Sequence, residues 1–433
     1  MTPDILITNA YILPEPGRAE AIVHGYVAVY NGRIDSIGPI EELPGRAAVE
    51  VIDARGGVVM PGLVNTHCHA AMTLFRGLAD DLELVSWLND HIFPAEAAHV
   101  TPEMVYLCSK LAAAEMVLSG TTFVADGYFF EDEAARAFSE TGLRAVAAQG
   151  IIDFPAPGVP DPKEGVNSIA RFLDDWKRRD PLITPAVFAH SPYTCSAKTL
   201  REAKELARLH EVPFFIHVAE GPQEHSMIQD IQGDTPVRHL DALGVLDERT
   251  VCVHCVWVDE EDIAILARRN AKVSICPQSH MKLASGMAPL ADMLDKGVVV
   301  GLGTDSAASN NGLDLFREMD ICAKVQKVRA MDPVAVQASN VLQMATSSGA
   351  EVLGFPEVGS LREGGIADLI LIDIDQPHLQ PFYGPDLLVY AAGGADVRTV
   401  IINGAFVVQD RQVLNVDLEE TMAGVRKLAK SLR

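Results

Sequence analysis

Positive charge is scarce in this chain of 433 residues: 35 lysines and arginines stand against 59 aspartates and glutamates, a formal net charge of −24. So acidic a surface repels phosphate backbones and anionic lipid, which excludes nucleic acids and membrane surfaces as expected partners. Long apolar runs are missing as well; none reaches the ~18 residues of a membrane span. Yet 48% of the residues are hydrophobic and 22% charged, a mixture that suits a protein with a sizeable core. Met1 to Ala10 carries Asp4 and no basic stretch, so a signal peptide is not expected and a cytoplasmic location is. The cysteines are seven, an odd number scattered along a large chain, which is no disulfide framework. Cys252 and Cys255 form a C-x-x-C, but no second pair completes a structural zinc site. On a strand, residues three apart face opposite ways, so these two read as buried thiols flanking His254. Internal repeats, low-complexity stretches and long linkers are absent.

What is present is a division into β-rich ends and an alternating middle. Ile5-Leu6-Ile7, Tyr26 to Val29 and Val49 to Ile52 are short β-like runs, with Asn31-Gly32 a strong hairpin signal. Ala367 to Ile374, Val397 to Ile402 and Ala405 to Val408 have the same texture, with a turn at Asn403-Gly404. One small β-sandwich domain assembled from residues 1–57 and 359–433 is expected. Between them, candidate strands near 58–64, 121–126, 144–150, 184–189, 214–219, 251–255, 272–276 and 298–303 alternate with helical patterns. Thr101-Pro102 opens one helix, whose Met104, Leu107, Leu111 and Leu118 fall on one face. Eight strands alternating with helices predict an α/β fold, a (β/α)8 TIM-like barrel over 58–358, with its active site at the C-terminal strand ends.

The chemistry-bearing residues sit at those ends. His67-Cys68-His69 follows the run from Val58, His217 ends Phe214-Phe215-Ile216, His254 ends Val251-Cys252-Val253, and Asp305 follows Val298 to Thr304. Two residues apart on an extended chain, His67 and His69 face the same side and can reach one ion. Taken singly, each has a plainer reading: a hydrogen-bonded core histidine, or, for Asp305, a helix cap near Ser306. Taken together, three imidazoles and a carboxylate suit a divalent transition ion, zinc or ferrous iron. Such an ion lowers the pKa of water to ~7, and Glu220 brings a second carboxyl close to His217. Hydrolysis or hydrolytic deamination is the expected chemistry.

These segments resemble the amidohydrolase superfamily, specifically its methylthioadenosine/S-adenosylhomocysteine deaminase and chlorohydrolase-like group. The matching stretches are Pro61 to His69, Met72 to Gly77, His190 to Thr194, His217-x-x-Glu220, His254-Cys255, Lys282 to Gly286, Gly303 to Asn311 and Gly359 to Leu369, nearly the whole chain. The resemblance implies one metal ion per subunit, zinc first and iron as the alternative, held by His67, His69, His217 and Asp305. It implies that Glu220 protonates the ring nitrogen beside the carbon under attack. His254 and Asp305 would orient and deprotonate the water, and Asp305 would pass the proton to departing ammonia. His190, Glu96 and Trp87 match nucleoside contacts. On residue type alone, Trp87 is as readily plain core, and Glu96 a solvated helix residue. The substrate implied is an adenosine-type nucleoside, and the product its inosine analogue. A homo-oligomer is expected, since large barrels often associate.

Some positions depart from the pattern. The stretch Ala148 to Pro155 has no arginine, where relatives that accept S-adenosylhomocysteine often carry one; a bidentate contact to the amino-acid carboxylate is then lost. His280 stands where relatives usually have asparagine, and Ser306 where they have glycine. The fourth strand ends in Ala189-His190-Ser191, without the lysine that two-metal relatives carboxylate, which favours a mononuclear site. The competing expectations are removal of an amino group or chloride from another heteroaromatic ring (triazine, pterin or guanine), and a non-catalytic metal-binding relative.

Overall fold

Gly62 divides the apolar run that begins at Val58 between two sheets. Val58–Pro61 lies antiparallel to Leu369–Ile372 and parallel to Tyr11 and Ile12. Leu63–His69 opens a second, wholly parallel sheet. The run is therefore not the single barrel strand 58–64 that its apolarity suggests. A Cβ on residue 62 would stand 2.1 Å from Thr122, so only glycine lets the chain pass this close to its neighbour. In this computed structural model, residues 2–432 other than 19, 44, 46 and 229 are described.

In chain order the parallel strands are Leu63–His69, Thr121–Tyr128, Arg144–Ile151, Ile183–Ala189, Phe214–Val218, Thr250–His254, Lys272–Ile275 and Val300–Leu302, each paired with the next. After Gly303 and Thr304 the last strand resumes as Asp305–Ser306 and pairs with Cys68 and His69 of the first, so the ladder closes on itself. Helices lie between successive strands, giving a (β/α)8 barrel of TIM-like design. Alternate strand residues serve two cores. Val64, Phe123, Ala125, Val146, Ala148 and Phe188 cluster together, whereas Leu63, Val124, Ala145, Ala147 and Val187 belong to the other core, with the surrounding helices.

The hydroxyl of Thr101 accepts from Met104 N–H (3.2 Å) and starts helix Pro102–Leu118. The buried face of that helix is not quite the expected stripe: Met104, Cys108, Ala112 and Met116 are fully buried, while Leu107, Leu111 and Leu118 are only partly so. The reason is a second neighbour. Helix Leu418–Ala429 packs on this helix, with Gly424 set against the Leu107 side chain, so apolar residues are needed on two faces. No helix among the described residues is long and apolar enough to cross a membrane.

Both chain ends contribute to the nine-stranded mixed sheet that holds Val58–Pro61. Asn31 and Gly32 (φ 49° and 76°) join Ile22–Tyr30 to Arg33–Pro39, and Asn403 and Gly404 (φ 51° and 74°) join Val397–Ile402 to Ala405–Gln409. Two positive φ angles in a row make both of these the tight hairpins their sequences announce. Arg144, at the start of the third barrel strand, ties the two sheets with a buried fork to Asp368 (2.7 and 3.1 Å).

Candidate metal centre and active site

The C-terminal ends of the barrel strands bring the five singled-out side chains together at one mouth. Nitrogens of His67, His69 and His217 all lie within 4.8 Å of one another, and so do the ligand atoms of Glu220, His254 and Asp305. Asp305 joins the two groups: its Oδ1 is 3.4 Å from His67 Nε2 and 3.6 Å from His69 Nε2. His254 Nε2 is 3.6 Å from Glu220 Oε2, and its ring stacks on His217 with centroids 5.1 Å apart. The plainer reading of Asp305 as a helix cap is not what the fold contains, because Asp305 is a strand residue paired with Cys68.

Backbone conformation aims these groups. Asp305 (φ 58°), His254 (φ 79°), Ala219 (φ 54°) and Cys255 (φ 47°) all occupy the left-handed region, which costs non-glycine residues of order 1–3 kcal/mol each. Strain gathered at adjoining strand ends turns the chain sharply, so that side chains point up into the mouth. Phe188 forms the floor, stacked beneath His67 (5.8 Å) and edge-on to His217 (4.9 Å). Gly127 leaves room for it, since a Cβ there would come within 2.2 Å of the Phe188 ring.

The imidazoles suit a metal ion. His69 Nδ1–H donates to the Gly127 carbonyl (2.5 Å), leaving Nε2 as the free nitrogen. His67 Nε2 is buried and has no hydrogen-bond partner among the described residues, a cost that a bound cation would remove. Burial, then the charge of His67, lowers the His69 pKa to about 4; burial and the neighbouring imidazoles hold His217 well below the usual histidine value. Neutral rings with free lone pairs are what metal coordination requires.

The two nearest carboxyls are pushed in opposite directions. Burial, with Asp305 and Glu224 nearby, raises Glu220 well above the ordinary carboxyl range. Burial also works against the charge on Asp305, but His67, His254 and His69 outweigh it and hold that carboxyl well below its usual value. The hydroxyls of Ser279 (2.6 Å) and Ser309 (2.8 Å) donate to Asp305 Oδ2 and stabilise the charged form. One carboxyl pushed up and one held down thus stand beside His254, the separation that acid–base catalysis uses.

Around this centre lies a cleft of about 970 Å³, its solvent-open mouth included. Trp87 and Glu96 both line it and are buried, Trp87 with an indole N–H that has no partner among the described residues and Glu96 accepting from the Tyr128 hydroxyl (2.6 Å). Glu96 is thus no solvated helix residue. His190 is held through Nδ1 by Thr194 Oγ1 (2.9 Å), with its ring 5.1 Å from His217. Tyr128, Phe188, Ser279 and Ser309 were not evident as site residues from sequence. Tyr128 could have been found by the rule that exposed the histidines, since it ends a barrel strand. The serines reach Asp305 from a helix and a turn, and no local pattern marks them. All seven cysteines are buried and free, including Cys252 and Cys255.

Comparison with known proteins agrees with this geometry. The amidohydrolase family profile matches residues 58–407. A 5-methylthioadenosine/S-adenosylhomocysteine deaminase from Syntrophobacter fumaroxidans is 45% identical, covering 99% of this chain and 98% of the relative. A 5'-deoxyadenosine deaminase from Methanosarcina mazei is also 45% identical with the same coverage. Among solved structures, a zinc-bound adenosine deaminase from Xanthomonas campestris superposes with a TM-score of 0.96 at 36% identity, over 100% of this chain and 99% of that one. Fold, strand-end histidines and full-length similarity together place this chain in the amidohydrolase family.

Proposed function

We propose that this protein is a metal-dependent hydrolytic deaminase of adenosine-type nucleosides, releasing ammonia and leaving the inosine analogue. The observation that carries this reading is the gathering of Glu220, His254 and Asp305 beside the imidazoles of His67, His69 and His217, with the ligand atoms of each trio within 4.8 Å of one another. His67, His69, His217 and Asp305 would hold one divalent ion per subunit, zinc first and iron as the alternative. Bound there, such an ion supplies Lewis acidity that brings the pKa of water to ~7.

The chain's own residues do the rest. His254 and Asp305 orient the attacking water and take its proton. Glu220 gives its proton to the ring nitrogen beside the carbon under attack, which disperses the charge that develops in the ring. Asp305 then returns a proton to the departing amino group. Glu96 accepts from ribose hydroxyls, held in place by Tyr128, while His190 and Trp87 complete the nucleoside pocket. At the far end Phe93, Phe129, Ile152, Phe154 and Pro155 present apolar surface, and no lysine or arginine among the described residues lines the cavity. An apolar 5' substituent fits that wall, whereas an amino-acid carboxylate would be buried without a partner.

Methylthioadenosine or adenosine is therefore the preferred substrate over S-adenosylhomocysteine. A deamination screen read by the shift in purine absorbance, run beside metal analysis of the purified protein, tests the reading. A higher kcat/KM for S-adenosylhomocysteine than for methylthioadenosine rejects the preference, and no ammonia from any purine nucleoside rejects the function.

A further inference from the structure

His254 has one hydrogen bond to its ring among the described residues, and the partner is another histidine: His254 Nδ1 and His280 Nε2 are 3.0 Å apart. Both rings are buried, at 1% and 3% exposure, so water does not substitute for either. His280 is firmly placed. It lies on helix Pro277–Lys282, directly after the seventh barrel strand; its N–H donates to the Cys276 carbonyl (3.0 Å), and its own carbonyl accepts from Ser285 N–H (2.9 Å). His254 sits on strained backbone, so its ring direction depends on what its side chain touches.

Only one of the two facing nitrogens can carry the hydrogen. If it is His280 Nε2, the neutral His254 ring must carry its hydrogen on Nε2, towards Glu220 Oε2 at 3.6 Å. That ring then offers no lone pair towards the site. If the hydrogen is on His254 Nδ1, the Nε2 lone pair is free towards the site, where a proton from the attacking water can be received.

We infer that His280 is a positioning residue for the deamination proposed above, accepting from His254 Nδ1–H and so holding His254 with its Nε2 lone pair turned into the active site. When His254 takes a proton at Nε2, the same acceptor steadies the resulting imidazolium through its Nδ1–H. His280 in turn carries its hydrogen on Nδ1. His280 also lines a narrow cleft whose other walls include the exposed Met281 and Met287, separate from the substrate cavity.

Two variants and one spectroscopic measurement test this. His280→Leu removes the acceptor at similar volume, while in His280→Gln the side-chain oxygen replaces Nε2. Loss of an outer partner of this kind lowers activity about 10- to 100-fold. The expected result is a fall of that size in kcat for His280→Leu, with KM and bound metal nearly unchanged, and recovery of most of it in His280→Gln. In metal-free wild-type protein, nitrogen-15 shifts of the His254 ring, assigned by comparison with His254→Gln, are expected to show the hydrogen on Nδ1. Wild-type kcat in His280→Leu, a Gln variant as impaired as Leu, or a hydrogen on His254 Nε2 would each overturn the inference. A wild type that deaminates nothing would instead sink the functional reading, and the ring shifts would still report on His280.

Discussion

Glu220 and Asp305 both face His254, yet their surroundings push the first carboxyl up and hold the second down. Glu220→Gln keeps the shape and removes the transferable proton. A general acid contributes about 10²- to 10⁴-fold, so kcat/KM should fall by that range, with metal content per subunit unchanged by elemental analysis. A variant of full activity would strip Glu220 of its role. Glu96 offers a pH test. Burial, opposed by the Tyr128 hydrogen bond, raises its pKa from 4.5 to about 7. The folded chain thus favours the neutral acid: the stability this group contributes is whole below 4.5 and is lost as pH rises through about 7. Urea unfolding of wild type and Glu96→Gln across that range should show the wild type losing ground to the variant as pH rises. Accepting two ribose hydroxyls needs the carboxylate, so KM should fall over the same rise in pH, and a 2',3'-dideoxy substrate should not show that fall.

Between residue and molecule, the barrel strands set how much of the site was legible. His67, His69, His217, His254 and Asp305 could be read as a group because each closes an apolar run, and a parallel barrel collects all such ends at one mouth. Glu96 and Trp87 lie on helical segments after the first strand, where position along the chain says nothing about direction; family resemblance, not periodicity, singled them out. The split at Gly62 and the two-sided helix Pro102–Leu118 escaped periodicity because both depend on a neighbour distant in sequence. Gly127 shows the same dependence. A methyl group there runs into Phe188, the floor under the histidines. Overpacking of this kind costs about 1–3 kcal/mol, so Gly127→Ala should unfold at lower urea, measured on metal-free protein, and should bind metal more weakly by titration.

At the scale of the whole molecule, Arg144 and Asp368 join the bottom of the barrel to the sheet built from both chain ends, far from the strand ends that carry the chemistry. Arg144→Met would leave the Asp368 carboxylate buried without its partner, and breaking such a pair costs about 3–5 kcal/mol. The expected outcome is a marked drop in unfolding free energy with kcat of the folded enzyme preserved. Chelation should do the reverse, abolishing ammonia release in a protein that still unfolds cooperatively, with activity returning on addition of zinc or ferrous iron. The amino-acid order by itself determined the alternation of strands and helices, the tight turns at Asn31-Gly32 and Asn403-Gly404, and the strand-end placement of the candidate ligands. All of these follow from side-chain periodicity and backbone preference within a few residues. Only the folded chain decided that the Glu220 carboxyl is pushed up while Asp305 is held down, that Ser279 and Ser309 brace the aspartate, and that His280 faces His254. Charge state and hydrogen-bond partners depend on burial and on groups brought together from remote segments, and neither exists until the barrel has closed.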